Sequence, residues 1–150
     1  MKTIRLVSVI LVLAMLCCSF IACSTTEEEV ELPERPFYDI KVSFQIKNAS
    51  GKNIVEVENY NYKGHEDPTI LNIVTDYLAI EANFKYTVDE NNILTKIGST
   101  KAGKNERWSF TMEGVGLDMQ TILDNLVDKQ MSEYLVEDGA AFTVVLVSNE

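Results

Sequence analysis

Ile40, Val42, Phe44 and Ile46 alternate with Lys41, Ser43, Gln45 and Lys47, the period-two pattern of a strand with one buried face. NASGKN, Asn48 to Asn53, is turn chemistry, and Gly51 within it is free to take positive φ. IVEVENYNY then returns as a second strand, so the spacing predicts a hairpin. The period changes in GHEDPTILNIVTDYLAIEA, where Ile70, Leu71, Val74, Tyr77 and Leu78 fall at helical spacing and make one apolar face. Asp67 is the expected N-cap of this helix. Pro68 then takes the first helical position, where a missing N–H does no harm.

Phe84, Tyr86 and Val88 alternate again, DENN turns, and ILTKI runs to Gly98. GSTKAGKNE reads as a polar, flexible loop. Trp108, Phe110 and Met112 alternate against Arg107, Ser109 and Thr111 and predict a further strand. Asp118 to Asp128, carrying Ile122, Leu123, Leu126 and Val127, is expected as a short helix. YLVEDGAAFTVVLV closes the chain with an Asp-Gly turn and an apolar run. A run apolar on both faces predicts a central strand covered, at least in part, on both sides. The expected order is strand, strand, helix, then three or four strands, with the last strand inserted centrally. That is β-grasp logic. The expected class is α+β, a β-grasp-like mixed sheet of about five strands with one main helix packed on one face.

These elements also carry a resemblance. PTILNIVTDYL, ILTKIGS, WSFTMEG and YLVEDGAAF, in that order, resemble the motifs of the transcobalamin C-terminal-like family of bacterial exported domains. Trp108 and Gly114 are the fixed points of the third motif. The chain departs from the family pattern at Glu113-Gly114, where Asn-Gly is usual, and at Asp138-Gly139, where the order is reversed. The segment from Val115 to Met131 is also longer than the family pattern. The resemblance implies a β-grasp-like domain and a ligand-binding role. In the animal cobalamin carriers the corresponding domain covers one face of the corrin ring, and a larger helical domain covers the other. No stretch here corresponds to that helical partner, so corrinoid binding enters as a hypothesis.

The N-terminus places the domain. Lys2 and Arg5 are the only charges before Glu27, and an apolar stretch from Leu6 to Ala22 follows them, the layout of a secretory signal peptide. Phe20-Ile21-Ala22-Cys23 resembles the bacterial lipoprotein signal, in which the cysteine receives the lipid; Phe20 stands where Leu is usual. On this reading residues 1–22 are the signal peptide and are removed with Cys17 and Cys18. Cys23 becomes the first mature residue, and its two acyl chains suffice for a stable membrane anchor. The competing readings are an uncleaved signal anchor, or cleavage beside Ala22 without lipid. Ser24 to Pro36, with five Glu and two Pro, has too little apolar surface to fold and is expected as an extended tether, so residues 23–36 form a lipidated acidic spacer. Residues 37–150 are then one domain of 114 residues.

Charge narrows the partners. Without Lys2 and Arg5 the chain keeps 11 basic against 23 acidic residues, near −12. Nucleic acid is excluded, because its binding rests on clustered Lys and Arg. An exported location is expected, on the cell membrane or outer membrane, with the domain facing the periplasm or extracellular space.

Catalytic chemistry finds no set of groups. His65 is the lone histidine, it lies in a loop before the helix, and no nucleophile elbow is near it. Beside Glu66 and Asp67 it makes a poor zinc set, and the mature chain holds no free thiol. Glu56 and Glu58, Asp89 and Glu90, and Glu137 and Asp138 read as surface charge on a strand and turns. No enzyme, metal or cofactor is implied. Trp108 is the best single candidate for stacking on a flat ligand, although an alternating aromatic face is also what a core strand shows. With Phe110, Gly114 and Tyr134 it forms the expected ligand-binding set. Two classes of function stay open. One is capture of a small molecule, a corrinoid among the candidates; the other is an envelope protein–protein or glycan interaction module. An aromatic-lined pocket at Trp108 would favour the first, and an exposed edge strand the second.

Overall fold

The first alternating stretch forms β1, Tyr38–Lys47, and returns through the NASGKN turn as β2, Asn53–Gly64, in antiparallel register from Tyr38 opposite Gly64 to Lys47 opposite Asn53. A computed structural model describes residues 34–149, and the chain from Arg35 onward forms a unit of its own. Gly51 takes φ +79° in the turn, as expected of a glycine there. Along β2 the inward residues shift from Val55 and Val57 to Tyr60 and Tyr62. A bulge opposite Val42 and Phe44 accommodates this, with Asn59 at φ +53° and its N–H donating to Ser43 Oγ at 3.1 Å.

The helix α1 spans Ile70–Ile80 and buries Ile70, Leu71, Ile73, Val74 and Leu78. It begins two residues later than the sequence predicts. Thr69, not Asp67, is the N-cap, with Oγ1 accepting from the Asn72 N–H at 3.1 Å. Asp67 acts one layer out. Its Oδ1 accepts from Tyr38 Oη at 2.7 Å, and its backbone C=O accepts from Thr69 N–H. Pro68 precedes the cap, buried.

Five strands follow, where three or four were expected: β3 Tyr86–Val88, β4 Leu94–Ile97, β5 Thr100–Lys101, β6 Glu106–Thr111 and β7 Ala141–Ser148. They divide between two sheets. The larger has four strands in the order β2-β1-β7-β6, one fewer than predicted, and β3-β4-β5 form a separate antiparallel sheet of three. The predicted flexible loop is partly ordered by this second sheet. Thr100 and Lys101 pair with Ile97 and Lys96, and Glu106 Oε2 closes the following turn by accepting from Gly103 N–H at 2.7 Å. The fold class is α+β, as expected, with a mixed main sheet.

The closing strand lies centrally, parallel to β1 and antiparallel to β6. Phe142, Val144 and Leu146 join the core under α1, where Phe44 and Phe142 stack with centroids 5.2 Å apart and 4° between planes. Val145 and Val147 face the other way and pack on Ile122. Ile122 belongs to α2, Met119–Asp124, which is shorter than the expected Asp118–Asp128 segment and is capped by Asp118. This cover changes the reading of β1. Gln45 and Lys47, predicted on a solvated face, are 2% and 8% exposed. Gln45 survives burial by pairing at both ends of its amide: Nε2 donates to Glu56 at 2.8 Å and Oε1 accepts from Gly116 N–H at 2.9 Å.

Candidate functional site

The chain from Val127 to Glu133 crosses the outer edge of β6, because it must pass from α2 on one face of the sheet to α1 on the other. Val127 N–H donates to Phe110 C=O at 2.9 Å, and Leu71 N–H donates to Met131 C=O at 3.1 Å, which fixes both ends of the crossing. The turn between β3 and β4 approaches the same edge, held by Asp89 Oδ1, which accepts from the N–H groups of Asn91 and Ile93. Between crossing and turn lies a cleft of about 420 Å³. Its apolar lining includes Trp108, Leu94, Met131 and Ile93, of which the first three are buried and Ile93 is 39% exposed. Arg107, Asp128, Lys129 and Glu133 supply charges of both signs at its rim, and Ser109 a hydroxyl.

Trp108 is therefore both core and cleft. It is 5% exposed and belongs to the cluster under α1, yet it lines the cleft, and its indole Nε1 is buried without a hydrogen-bond partner among the described residues. The other residues of the expected set are not brought to the lining. Phe110 is fully buried one step further along β6, with Tyr134 edge-on at 5.1 Å. Tyr134 is half-buried, and its backbone C=O accepts from Ile70 N–H at 3.1 Å, a helix-start contact. Gly114 holds a turn at φ +106° and accepts from Thr143 Oγ1 through its C=O at 2.6 Å. Sequence reasoning missed Ile93, Leu94 and Met131. The apolar residues of the two loops signal burial, but only the crossing brings them to one edge. Cys23 lies outside the described residues.

Other titratable groups serve the fold. Tyr60 Oη donates to Asp76 at 2.6 Å, and burial first, then this bond, raises the phenol well above its ordinary value of 10.0. Burial likewise raises Tyr62, and the bond to Asp67 raises Tyr38. Asp118 is held below the usual carboxylate range by the hydrogen bonds that Thr121 donates to it. His65 is exposed, its Nδ1 3.3 Å from Pro36 C=O and its ring edge-on to Phe37 at 5.2 Å. Asp138 Oδ1 accepts from Lys41 N–H at 2.8 Å, and Glu56 binds Gln45 and Asn53, so these carboxylates support strands and turns.

Taken with its sheet order, the domain is an α+β module with a cleft at the edge of its main sheet. No protein-family profile and no curated protein sequence matches the chain. Among solved structures it is similar to haptocorrin in complex with Cbi, with a TM-score of 0.51 and 13% identity over 75% of this chain and 26% of that one. The likeness thus spans about a quarter of haptocorrin and shows a related fold. A candidate metal-binding protein from Ruminococcus gnavus aligns with a TM-score of 0.44 and 16% identity, over 74% of this chain and 99% of its own.

Proposed function

We propose that the chain is a surface-anchored lipoprotein whose domain captures a small molecule and performs no reaction on it. The observation that carries this reading is the cleft beside Trp108. At about 420 Å³, with apolar walls and a few polar groups, it falls within the range of small-molecule sites. The fold shared with part of haptocorrin, a structure described in complex with Cbi, makes a corrinoid the first ligand to try. The β-grasp assignment rests on β1 and β7 running parallel at the sheet centre, with α1 packed on one face. The transcobalamin C-terminal-like resemblance rests on the four motifs PTILNIVTDYL, ILTKIGS, WSFTMEG and YLVEDGAAF in that order, with Trp108 and Gly114 the fixed points of the third.

Anchoring rests on the sequence before Cys23, and residues 23–36 act as the tether that carries domain 37–150 away from the bilayer. Ser24 beside the lipidated cysteine favours the outer membrane in a two-membrane cell. Support for a non-catalytic role comes from His65, Glu56, Asp89 and Asp138, whose contacts hold strands and turns. The acidic balance of the mature chain argues against nucleic acid.

Calorimetric titration of Ser24–Glu150 with cobinamide and cobalamin tests the capture reading. Saturable one-to-one binding is expected. Absence of heat up to about 1 mM, a limit of about 4 kcal/mol, overturns the corrinoid assignment. One observation favours a second reading, an envelope protein or glycan interaction module. β2 is a 12-residue strand at the free edge of the main sheet among the described residues, and such an edge accepts an added strand.

A further inference from the structure

The hydrogen bonds of the main sheet determine which backbone groups face the cleft. Ser43 N–H donates to Ala140 C=O at 3.0 Å, so the even-numbered residues of β7 point toward β1 and the odd-numbered ones toward β6. In the β6–β7 register, Arg107 opposite Val147, Ser109 opposite Val145 and Thr111 opposite Thr143 are then the bonded pairs. Glu106, Trp108 and Phe110 turn their N–H and C=O away from β7, onto the outer edge. The Val127 N–H to Phe110 C=O bond confirms this phase independently.

The outer edge is engaged on both sides of Trp108. Toward the N-terminus Glu106 N–H donates to Gly103 C=O at 3.2 Å, and toward the C-terminus Phe110 C=O is taken by Val127. Trp108 alone, in the cleft lining, keeps both its N–H and its C=O without a partner among the described residues. The same residue carries the buried indole N–H that lacks an acceptor. The indole N–H is a buried donor left unpaired, at a cost of about 1–3 kcal/mol, and the backbone N–H and C=O of the same residue offer a donor and an acceptor at the cleft lining.

We infer that the ligand of this cleft carries a carboxamide, whose N–H and C=O pair with the free backbone C=O and N–H of Trp108. An apolar body attached to it lies against Leu94, Met131 and Ile93. The adjacent donor and acceptor of a carboxamide match an edge residue that offers one acceptor and one donor in the extended conformation. The engaged Glu106 N–H and Phe110 C=O bound the free stretch of this edge on either side of Trp108. A long peptide strand therefore does not fit, and a compact amide-bearing molecule does. The inference rests on the capture reading above and names the chemical group by which capture works.

Trp108 is the sole tryptophan, so Ser24–Glu150 labelled with nitrogen-15 tryptophan gives two signals, one backbone amide and one indole. The probe is 4-methylpentanamide, and the control is its methyl ester, which keeps the apolar body and the carbonyl but has no N–H to donate. Saturable movement of the backbone amide and indole signals by the amide, with the ester binding about three- to tenfold more weakly, supports the inference. Equal binding of the ester overturns it and leaves small-molecule capture standing. Movement of neither signal overturns it as well, and cobinamide titration then reports separately on capture. In the free protein, the Trp108 amide exchanges with solvent faster than those of Arg107 and Ser109. The reverse order contradicts the edge assignment itself.

Discussion

Single residues show how the polar chemistry of this domain is distributed. Phe44, Tyr60 and Tyr77 form a mutually edge-on trio between β1, β2 and α1, and only Tyr60 in it reaches a carboxylate. Removing that hydroxyl as Tyr60→Phe is expected to cost about 1–2 kcal/mol, measured by urea unfolding at neutral pH. The pH dependence follows from the raised phenol. Below 10.0, its ordinary value, Tyr60 is protonated in both folded and unfolded chains and its contribution is constant. Above it the unfolded chain ionises while the folded one does not, so stability falls as pH rises. Tyr60→Phe should therefore have a shallower alkaline limb than the parent. Some slope persists, because Tyr62 and Tyr38 are raised too. An identical alkaline limb in the two proteins contradicts this assignment.

At the scale of elements, the hairpin, the main helix and the central closing strand were legible because each has a clean period. The phase change from Val55 and Val57 to Tyr60 and Tyr62 is itself written in the sequence, as an odd step between apolar positions, and the bulge at Asn59 is its structural form. The cap was misread because Asp67-Pro68 and Thr69 both suit a helix start. Tertiary contact decided it, since Asp67 bonds Tyr38 and leaves the Asn72 N–H to Thr69. Two variants separate these roles. Thr69→Ala should lose about 1 kcal/mol, the usual value of an N-cap hydroxyl. Asp67→Ala, which breaks only the exposed bond to Tyr38, should lose less; the opposite ranking in thermal unfolding contradicts the cap assignment. Gln45 and Lys47 could not be read as buried, because the cover over them comes from α2 and the turn at Gly116, more than seventy positions away in the chain.

For the molecule as a whole, the cleft was half legible. Trp108 stood out as an aromatic on a strand, but its partners come from two loops that the topology alone unites. The crossing of residues 127–133 over the β6 edge closes one side, and the β3–β4 turn closes the other. Phe110, Gly114 and Tyr134 are not among the lining residues of the cleft: Phe110 and Tyr134 pack edge-on to each other, and Gly114 holds a turn bonded to Thr143. Anchoring is a separate claim at this scale. Cys23→Ala in the full chain should abolish incorporation of labelled palmitate and remove the protein from lipid-anchored form. Undiminished labelling would place the lipid elsewhere.

The most direct test of the central claim, ligand capture in the Trp108 cleft, follows Trp108 fluorescence during titration with cobinamide, in the parent chain and in Ile93→Asp. Ile93 lies on the cleft wall and is 39% exposed, so the substitution puts a charge on that wall without emptying the core. The account predicts saturable quenching in the parent and binding weakened by about tenfold or more in Ile93→Asp, as expected when a ligand group meets an unpaired charge. Quenching that saturates equally in both proteins would place the ligand outside the cleft, and no saturable quenching in either would contradict capture of this ligand.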